Sequence, residues 1–415
     1  VRTAPLQGSN SETIRRDNLS AILREVHVGG ARTRSELAAH TGLNRSTVAG
    51  IIAELAEKGL VHEEPGDRLG TPGRPSPVVR ANPDGAVALA IEIAVHSLAV
   101  ALVGLGGIVH EQARVGVPRG RPTLEETLER MRDLSRMLLA RSPLRDRLVG
   151  VGVAAVGAVR SRDGFVHFAP NLDWSTVPMA ELVTHRLELG VPVVVRNEAD
   201  LGARAEHLRG AGIGFDDLIY LSCDVGVGGG IITGGRPLVG AAGYAGEVGH
   251  FPVKPDGWPC GCGSRGCWET EVGERALLRN AGRDPDGGPD EVDALFRDAG
   301  SGSEVALQAL AAVGRWLGLG IAGFDNVFDP QVVVLGGLFG RMAPFILPIV
   351  RQQLDDRALA ITREPVGIVV AKLGIDAPVI GAAERAFEPL LADPLRAPAI
   401  DQQTGPAWAQ TGAAM

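Results

Sequence analysis

Apolar positions in the first sixty residues recur at helical spacing. Ile14, Leu19, Ile22, Leu23 and Val26 mark one face of a helix from Ser11 to Val26, and Gly29-Gly30 ends it. Thr33-Arg-Ser-Glu36 reads as a capping box: the threonine hydroxyl takes one free amide and Glu36 reaches back to another. A short helix follows through Leu37, Ala38 and His40. Gly42 turns the chain, Leu43 plugs the turn, and Asn44 caps a helix from Arg45 to about Lys58. In that helix Val48, Ile51, Ile52 and Leu55 face inward, and Gly59 terminates it. Two helices joined by a glycine turn predict a helix-turn-helix. The strand Leu60–Glu64, a loop Pro65–Pro77 carrying Arg68, Gly70, Gly73 and Arg74, and the strand Val78–Arg80 predict a wing.

Ala81-Asn-Pro-Asp-Gly85 is a polar break and the expected linker. Beyond it strand and helix signals alternate. Val87–Ile93, Leu98–Val103 and Val109–Val117 read as a strand meander. Leu124–Leu139 reads as a helix, Leu148–Ala155 as a buried strand, Met179–Leu187 as a helix, and Val191–Val195 as a strand ending at Arg196-Asn197-Glu198. A second unit starts with strands Leu218–Cys223 and Gly229–Thr233 around a glycine run. Helices near Glu274–Ala281, Val292–Asp298 and Glu304–Phe324 follow, then the strand Val332–Leu335 and a last helix Pro378–Leu391. The two halves repeat one order of elements, which predicts a duplicated two-lobed α/β body with a cleft between lobes. The expected division is a winged head over 1–82, lobe I over 85–197 completed by helix 378–391, lobe II over 198–377, and a disordered tail over 393–415, where Ala, Pro, Gln and Gly dominate.

Composition narrows the class. The chain has 415 residues, 45% hydrophobic and 22% charged, ordinary for a globular protein of two or three domains. No apolar stretch reads as a membrane span, and the first residues lack the apolar core of a signal peptide, so the expected location is the cytoplasm. The net charge of −8 is uneven. Residues 1–82 carry 11 Lys/Arg against 9 Asp/Glu, a net of +2, which leaves −10 for the rest. A slightly basic head on an acidic body suits DNA binding by the head alone.

The head could be a small helical bundle used only for packing, but the start of its third helix argues for DNA. Asn44, Arg45, Ser46 and Thr47 are the short, polar or base-reading residues a recognition helix brings to the major groove. Thr33, Asn44, Arg45, Ser46, Thr47 and, in the wing, Arg74 are the expected DNA contacts.

Three of the four cysteines lie in Cys260-Gly-Cys262-Gly-Ser-Arg-Gly-Cys267, with His250 ten positions upstream. Three thiolates and an imidazole are the donor set of a closed tetrahedral zinc site. Four protein ligands leave no open position, so the expected Zn²⁺ is structural. Cys223, in an apolar run, is expected in a buried strand.

Glu247-Val-Gly-His250, the stretch from Cys260 to Glu269, the glycine run Gly226–Gly230 and Gly336-Gly337 after an apolar strand resemble the ROK family of repressors and sugar kinases. The winged head, with Gly73-Arg74-Pro75 before the body, resembles its transcription-regulator branch. The resemblance covers residues 11–391. It implies a body of the actin and hexokinase type, ribonuclease-H-like in its lobes, with a sugar held between them. It further implies sugar contacts from Asn197, Glu198, Glu247, His250 and Glu269; Asn171 is either a further contact or a turn residue. His250 could hold zinc through one ring nitrogen and offer the other to the sugar.

The kinases resembled carry Asp-x-Gly-Gly-Thr after the first strand. Here that stretch is Glu92-Ile-Ala94-Val95-His96, which puts Cβ atoms where phosphate would sit. Glu198 stands at the catalytic aspartate position, one methylene longer, and Asp224 would repel an anion. The expected protein is therefore a sugar-responsive repressor without catalysis, acting as a homodimer or homotetramer on a palindromic operator. A sugar or sugar phosphate would respace two heads held about 34–36 Å apart. The alternative is a sugar kinase with a regulatory head.

Overall fold

The computed structural model describes residues 10–65, 76–117, 122–359 and 366–398. The head comprises α1 (Ser11–Gly29), β1 (Arg32–Thr33), α2 (Arg34–Thr41), α3 (Arg45–Glu57), β2 (Val61–Glu64) and β3 (Val78–Ala81). Its helix starts form as the side chains dictate. Glu36 N donates to Thr33 Oγ1 at 3.2 Å, Thr33 N donates to Glu36 Oε2 at 2.7 Å, and Thr47 N donates to Asn44 Oδ1 at 2.8 Å. Gly42 closes α2 at φ 70°, a left-handed conformation that costs glycine little. The three short strands pair antiparallel in the order β1–β3–β2, the base of a wing. Arg68 and Arg74 lie outside the described residues, as do residues 399–415 of the expected tail; its first residues are instead ordered, with a 3₁₀ turn Pro394–Arg396 and Leu395 and Ala397 packed against the core.

Lobe I is built on β4 (Val87–Ile93), β5 (Ser97–Gly104), β6 (Ile108–Gly116), α4 (Leu124–Arg141) and β7 (Leu148–Ala155). A small sheet of β8 (Ala158–Arg160), β9 (Phe165–Ala169) and β10 (Trp174–Val177) follows, then α5 (Met179–Leu187), β11 (Val193–Asn197) and α6 (Glu198–Arg209). Lobe II contains β12 (Leu218–Cys223), β13 (Val227–Thr233), β14 (Arg236–Pro237), α7 (Glu269–Val272), α8 (Glu274–Asn280), α9 (Gly288–Gly300) and α10 (Glu304–Phe328). It continues through β15 (Val332–Gly336), α11 (Gly337–Arg357) and β16 (Gly367–Val370), and α12 (Ala377–Ala392) returns to lobe I.

The sheet orders are β11–β7–β4–β5–β6 and β14–β13–β12–β15–β16. Each has an antiparallel meander followed by two parallel strands, so the duplicated order read from the sequence is a duplicated topology. Strand β4 is buried at every position, as a strand covered on both faces must be.

Three departures from the sequence reading have physical causes. Helix α6 was not expected, because it packs against α12 on one side and β12–β13 on the other and so lacks a one-sided apolar stripe. Helix α11 runs through Pro344 and Pro348, residues that ordinarily break a helix. Helix α10, 25 residues long, has the length and apolarity of a membrane span, which the sequence reading did not assign. Its apolar positions Leu310, Val313, Leu317 and Ile321 are buried in the lobe II core with Phe339, Ile346 and Val350 of α11.

The expected linker is packed rather than loose. Asn82 N donates to Leu60 O at 2.8 Å and Asn82 Nδ2 to Gly59 O at 2.7 Å. A Cβ at Gly85 would lie 2.1 Å from Gly59 O, so head and body touch backbone to backbone there. Leu19, Ile22, Leu23 and Leu55 of the head share one continuous core with Ala88, Ala90, Phe387 and Leu391 of the body.

Candidate functional site

Between the lobes lies a cleft of about 210 Å³ lined by Asn171, Asn197, Glu198, Glu247, His250 and Glu269, among others. These come from a turn after β9, the β11–α6 junction, a short 3₁₀ turn and the start of α7, so only the tertiary fold brings them together. Its size suits a compact polar ligand, below the ~300–1,000 Å³ of drug-sized pockets.

Asn197 is largely spent on structure. Its Oδ1 accepts from Ala199 N at 2.7 Å and Asp200 N at 3.2 Å, capping α6, and its Nδ2 donates to Gly157 O at 2.9 Å. The cap aims the next side chain, Glu198, into the cleft, where Oε2 is shut off from solvent and has no hydrogen-bond partner. Burial first, then the nearby Glu247 and Asp200 charges, push the Glu198 carboxyl well above its ordinary range. Burial also raises Glu247, with His250 opposing and Glu269 adding, and raises Asp200 to about 7. Such carboxyls can donate as well as accept, the dual capacity that hydroxyl-rich ligands need. Gly226 completes the wall: a Cβ there would stand 3.1 Å from Glu269 Oε2 and 3.5 Å from Asn171 Nδ2.

His250 faces two ways. Its Nδ1 lies 3.6 Å from Cys260 Sγ, while Nε2 points toward Glu247 Oε2 at 3.9 Å. Donor atoms of His250, Cys260, Cys262 and Cys267 all fall within 4.8 Å of one another. The Cys262–Cys267 sulfur separation is 3.6 Å, close to the ~3.8 Å edge of a tetrahedron with zinc–sulfur bonds of ~2.3 Å. The donor set and spacing therefore fit a structural zinc ion. The loop is shaped for it: Gly266 sits at φ 65°, and a Cβ there would fall 1.6 Å from Lys254 O. Trp268, fully buried, pins the loop to α10 by donating Nε1–H to Trp316 O at 2.8 Å. Glu269 borders both sites, since its Oε1 lies 2.7 Å from Cys260 Sγ. Cys223 is buried in β12 and takes no part in this cluster.

At the β4–β5 corner of lobe I, Glu92 and the backbone of the turn are committed within the lobe. Glu92 is 6% exposed and its Oε2 accepts from Arg114 Nη1 at 2.8 Å. Ala94 N donates to Ser97 O at 3.0 Å, closing a tight turn whose Ala94 and Val95 line the cleft.

On the head, Asn44, Arg45 and Ser46 are exposed and Thr47 is half-buried at the start of α3. Arg45 has no hydrogen bond or ion pair among the described residues. Thr33 instead spends its hydroxyl on the α2 cap.

The sequence reading missed two groups. Trp258, 52% exposed, lines the cleft with the Arg279 guanidinium 4.7 Å from its ring centre; an exposed tryptophan beside the cysteine loop was the available signal. The head–body junction had no local signal. There His27 and Glu384, both fully buried, meet at 2.9 Å, and Arg209 Nε donates to Glu384 at 2.5 Å. Gly106 N donates to His27 Nδ1 at 3.0 Å. Arg24 of α1 and Arg204 of α6 both reach Glu388, the former at 2.9 Å.

A body of two duplicated lobes around a polar cleft, carrying a winged head, defines the class. The ROK family model matches residues 88–388 and the MarR family model matches residues 20–68. The chain belongs to the ROK family, with an N-terminal winged-helix domain of MarR type. It is 30% identical over 398 residues to a putative xylose repressor of Caldicellulosiruptor sp. (strain Rt8B.4), covering 93% of this chain and 99% of that one. A ROK family glucokinase from Streptomyces griseus, solved with glucose and AMPPNP, aligns at 31% identity and TM-score 0.65, covering 73% of this chain and all of the kinase. A ROK family transcriptional regulator, a homolog of the E. coli MLC protein, aligns at TM-score 0.75 over 92% of this chain and 98% of its own; at 24% identity it supports the fold alone.

Proposed function

We propose that this protein is a sugar-responsive transcriptional repressor whose cleft binds the effector and whose head binds DNA. The observation that carries the reading is a continuous path from cleft to head. Helix α6 starts at the cleft with Glu198, and its later turns carry Arg204 and Arg209, which hold Glu388 and Glu384 of α12. Those two glutamates in turn hold Arg24 and His27 of α1, the first helix of the head. A shift of α6 on lobe closure therefore moves the head with it. A coupling of about 1–3 kcal/mol gives a 5–150-fold change in operator affinity. Matches along nearly the whole chain to xylose repressors support the repressor role.

Within this reading Glu198, Glu247, His250, Glu269 and Asn171 contact the sugar hydroxyls, and Asn197 positions Glu198. Zinc on His250 Nδ1 and the three cysteines would fix the loop that carries His250 and Glu269, leaving Nε2 free for the sugar. Asn44, Arg45, Ser46, Thr47 and Arg74 meet DNA, with Thr33 shaping the approach of α2. Two copies bind a palindromic site. The alternative is a sugar kinase with a regulatory head, favoured by the glucokinase likeness. Against it stand the Glu92–Arg114 pair and the Cβ atoms of Ala94 and Val95 at the phosphate corner.

The test is a thermal-shift screen of pentoses, hexoses and their phosphates, followed by operator titration with the best ligand. One ligand should raise the melting temperature and weaken operator binding, and Glu247→Gln should abolish the shift while leaving sugar-free operator affinity unchanged. Removing one partner of a buried hydrogen bond costs ~1–3 kcal/mol, enough to see. ATP-dependent phosphorylation of that sugar, or operator affinity indifferent to every candidate, would overturn the proposal.

A further inference from the structure

His96, Asp224 and Glu274 are far apart in sequence and converge in space, with one donor atom from each within 4.8 Å of the others. His96 ends the β4–β5 turn of lobe I, Asp224 follows β12 of lobe II, and Glu274 opens α8. His96 and Glu274 border a cavity of about 520 Å³, and Asp224 borders the adjoining cleft.

Two polar groups here lack the partners that buried groups normally have. His96 Nε2 is shut off from solvent without a hydrogen-bond partner. Glu274, only 6% exposed, makes no side-chain hydrogen bond or ion pair among the described residues. Asp224 is exposed on the cleft side, and its carboxylate faces the same point. One imidazole and two carboxylates are borderline-to-hard donors, the set that suits Mn²⁺ or Zn²⁺. The cysteine loop, by contrast, is soft.

We propose that His96, Asp224 and Glu274 form a second divalent-cation site, spanning the two lobes beside the β4–β5 turn. Four residues at this corner then fit together. Ala94 and Val95 exclude an anion, while His96 and Asp224 supply ligands for a cation. Metal–donor bonds of ~2.1 Å put donor atoms roughly 3 Å apart, and the three donors already meet within 4.8 Å. Because His96 sits on one lobe and its two partners on the other, a cation held by all three bridges the lobes. The cation thus acts as a clasp between the lobes, and the inference rests on the fold alone, not on the sugar reading.

Manganese distinguishes this site from the cysteine loop, because thiolates select against it. The full chain, purified with its zinc, would be titrated with Mn²⁺ and free Mn²⁺ followed by its solution EPR signal. One equivalent should bind, binding should fall at least tenfold in His96→Ala and in Glu274→Gln, and Cys260→Ser should keep it. His96 lies at a half-exposed turn, so His96→Ala is expected to fold, which circular dichroism would verify. No Mn²⁺ bound by the parent protein, or equal binding by both variants, would overturn the site.

Discussion

Glu384→Gln tests how the head is held to the body. Glu384 is fully buried, with His27 at 2.9 Å and Arg209 at 2.5 Å. Burial alone would raise its carboxyl, but these facing donors outweigh burial and hold it at about 2, against an ordinary 4.5. At 1.36 kcal/mol per pKa unit, that difference corresponds to stability on the order of 3 kcal/mol near neutral pH. The figure agrees with the ~3–5 kcal/mol lost when one partner of a buried pair is removed. The sign follows from the depressed value. The contribution is complete above about pH 4.5 and disappears as pH falls toward 2. Urea unfolding of parent and variant at pH 7, 5, 4 and 3 is the assay. The variant should be less stable by roughly 3 kcal/mol at pH 7 and 5, with the gap narrowing at pH 4 and 3. Limited proteolysis should cut first between residues 82 and 85, and any effector response at the operator should weaken. An undiminished stability at pH 7, or a gap that does not change with pH, would refute the reasoning.

Two further outcomes are expected. Arg45→Ala removes an exposed guanidinium with no partner of its own, so head stability should hold within ~0.5 kcal/mol while specific operator affinity falls by ~1–3 kcal/mol in a fluorescence-anisotropy titration; unchanged affinity would remove α3 as the reader. Cys260→Ser should reduce metal analysis from one zinc per chain to a trace and speed hydrogen exchange across residues 248–272; a parent protein without stoichiometric zinc would dismiss the metal loop.

Local chemistry made the head legible. Thr33, Glu36, Gly42 and Asn44 act within a few residues of themselves, and each takes the capping or turning role its side chain permits. The clustered cysteines were legible for the same reason: a loop of eight residues cannot place its three sulfurs far apart. The duplicated strand order also showed, because a strand buried on both faces reads as an unbroken apolar run.

Helix α6 and the β8–β10 sheet escaped notice, since a helix packed on opposite sides has no apolar stripe and short strands leave little periodic signal. The six residues the sequence named for the sugar all line the cleft, but their division of labour was not legible. Only the fold shows Asn197 used up as a cap while Glu198 points unpartnered into the cleft, because that depends on where Gly157 and α6 lie. The junction of His27, Arg209 and Glu384 lies still further from sequence. Its members are 175 or more positions apart along the chain, and nothing local to any of them marks it as the other's partner. Propensity, capping and ligand spacing are properties of neighbours, and the sequence determines those. Which buried charge meets which, and whether a polar break becomes a tether or a joint, depends on desolvation, and desolvation exists only once the chain has closed around itself.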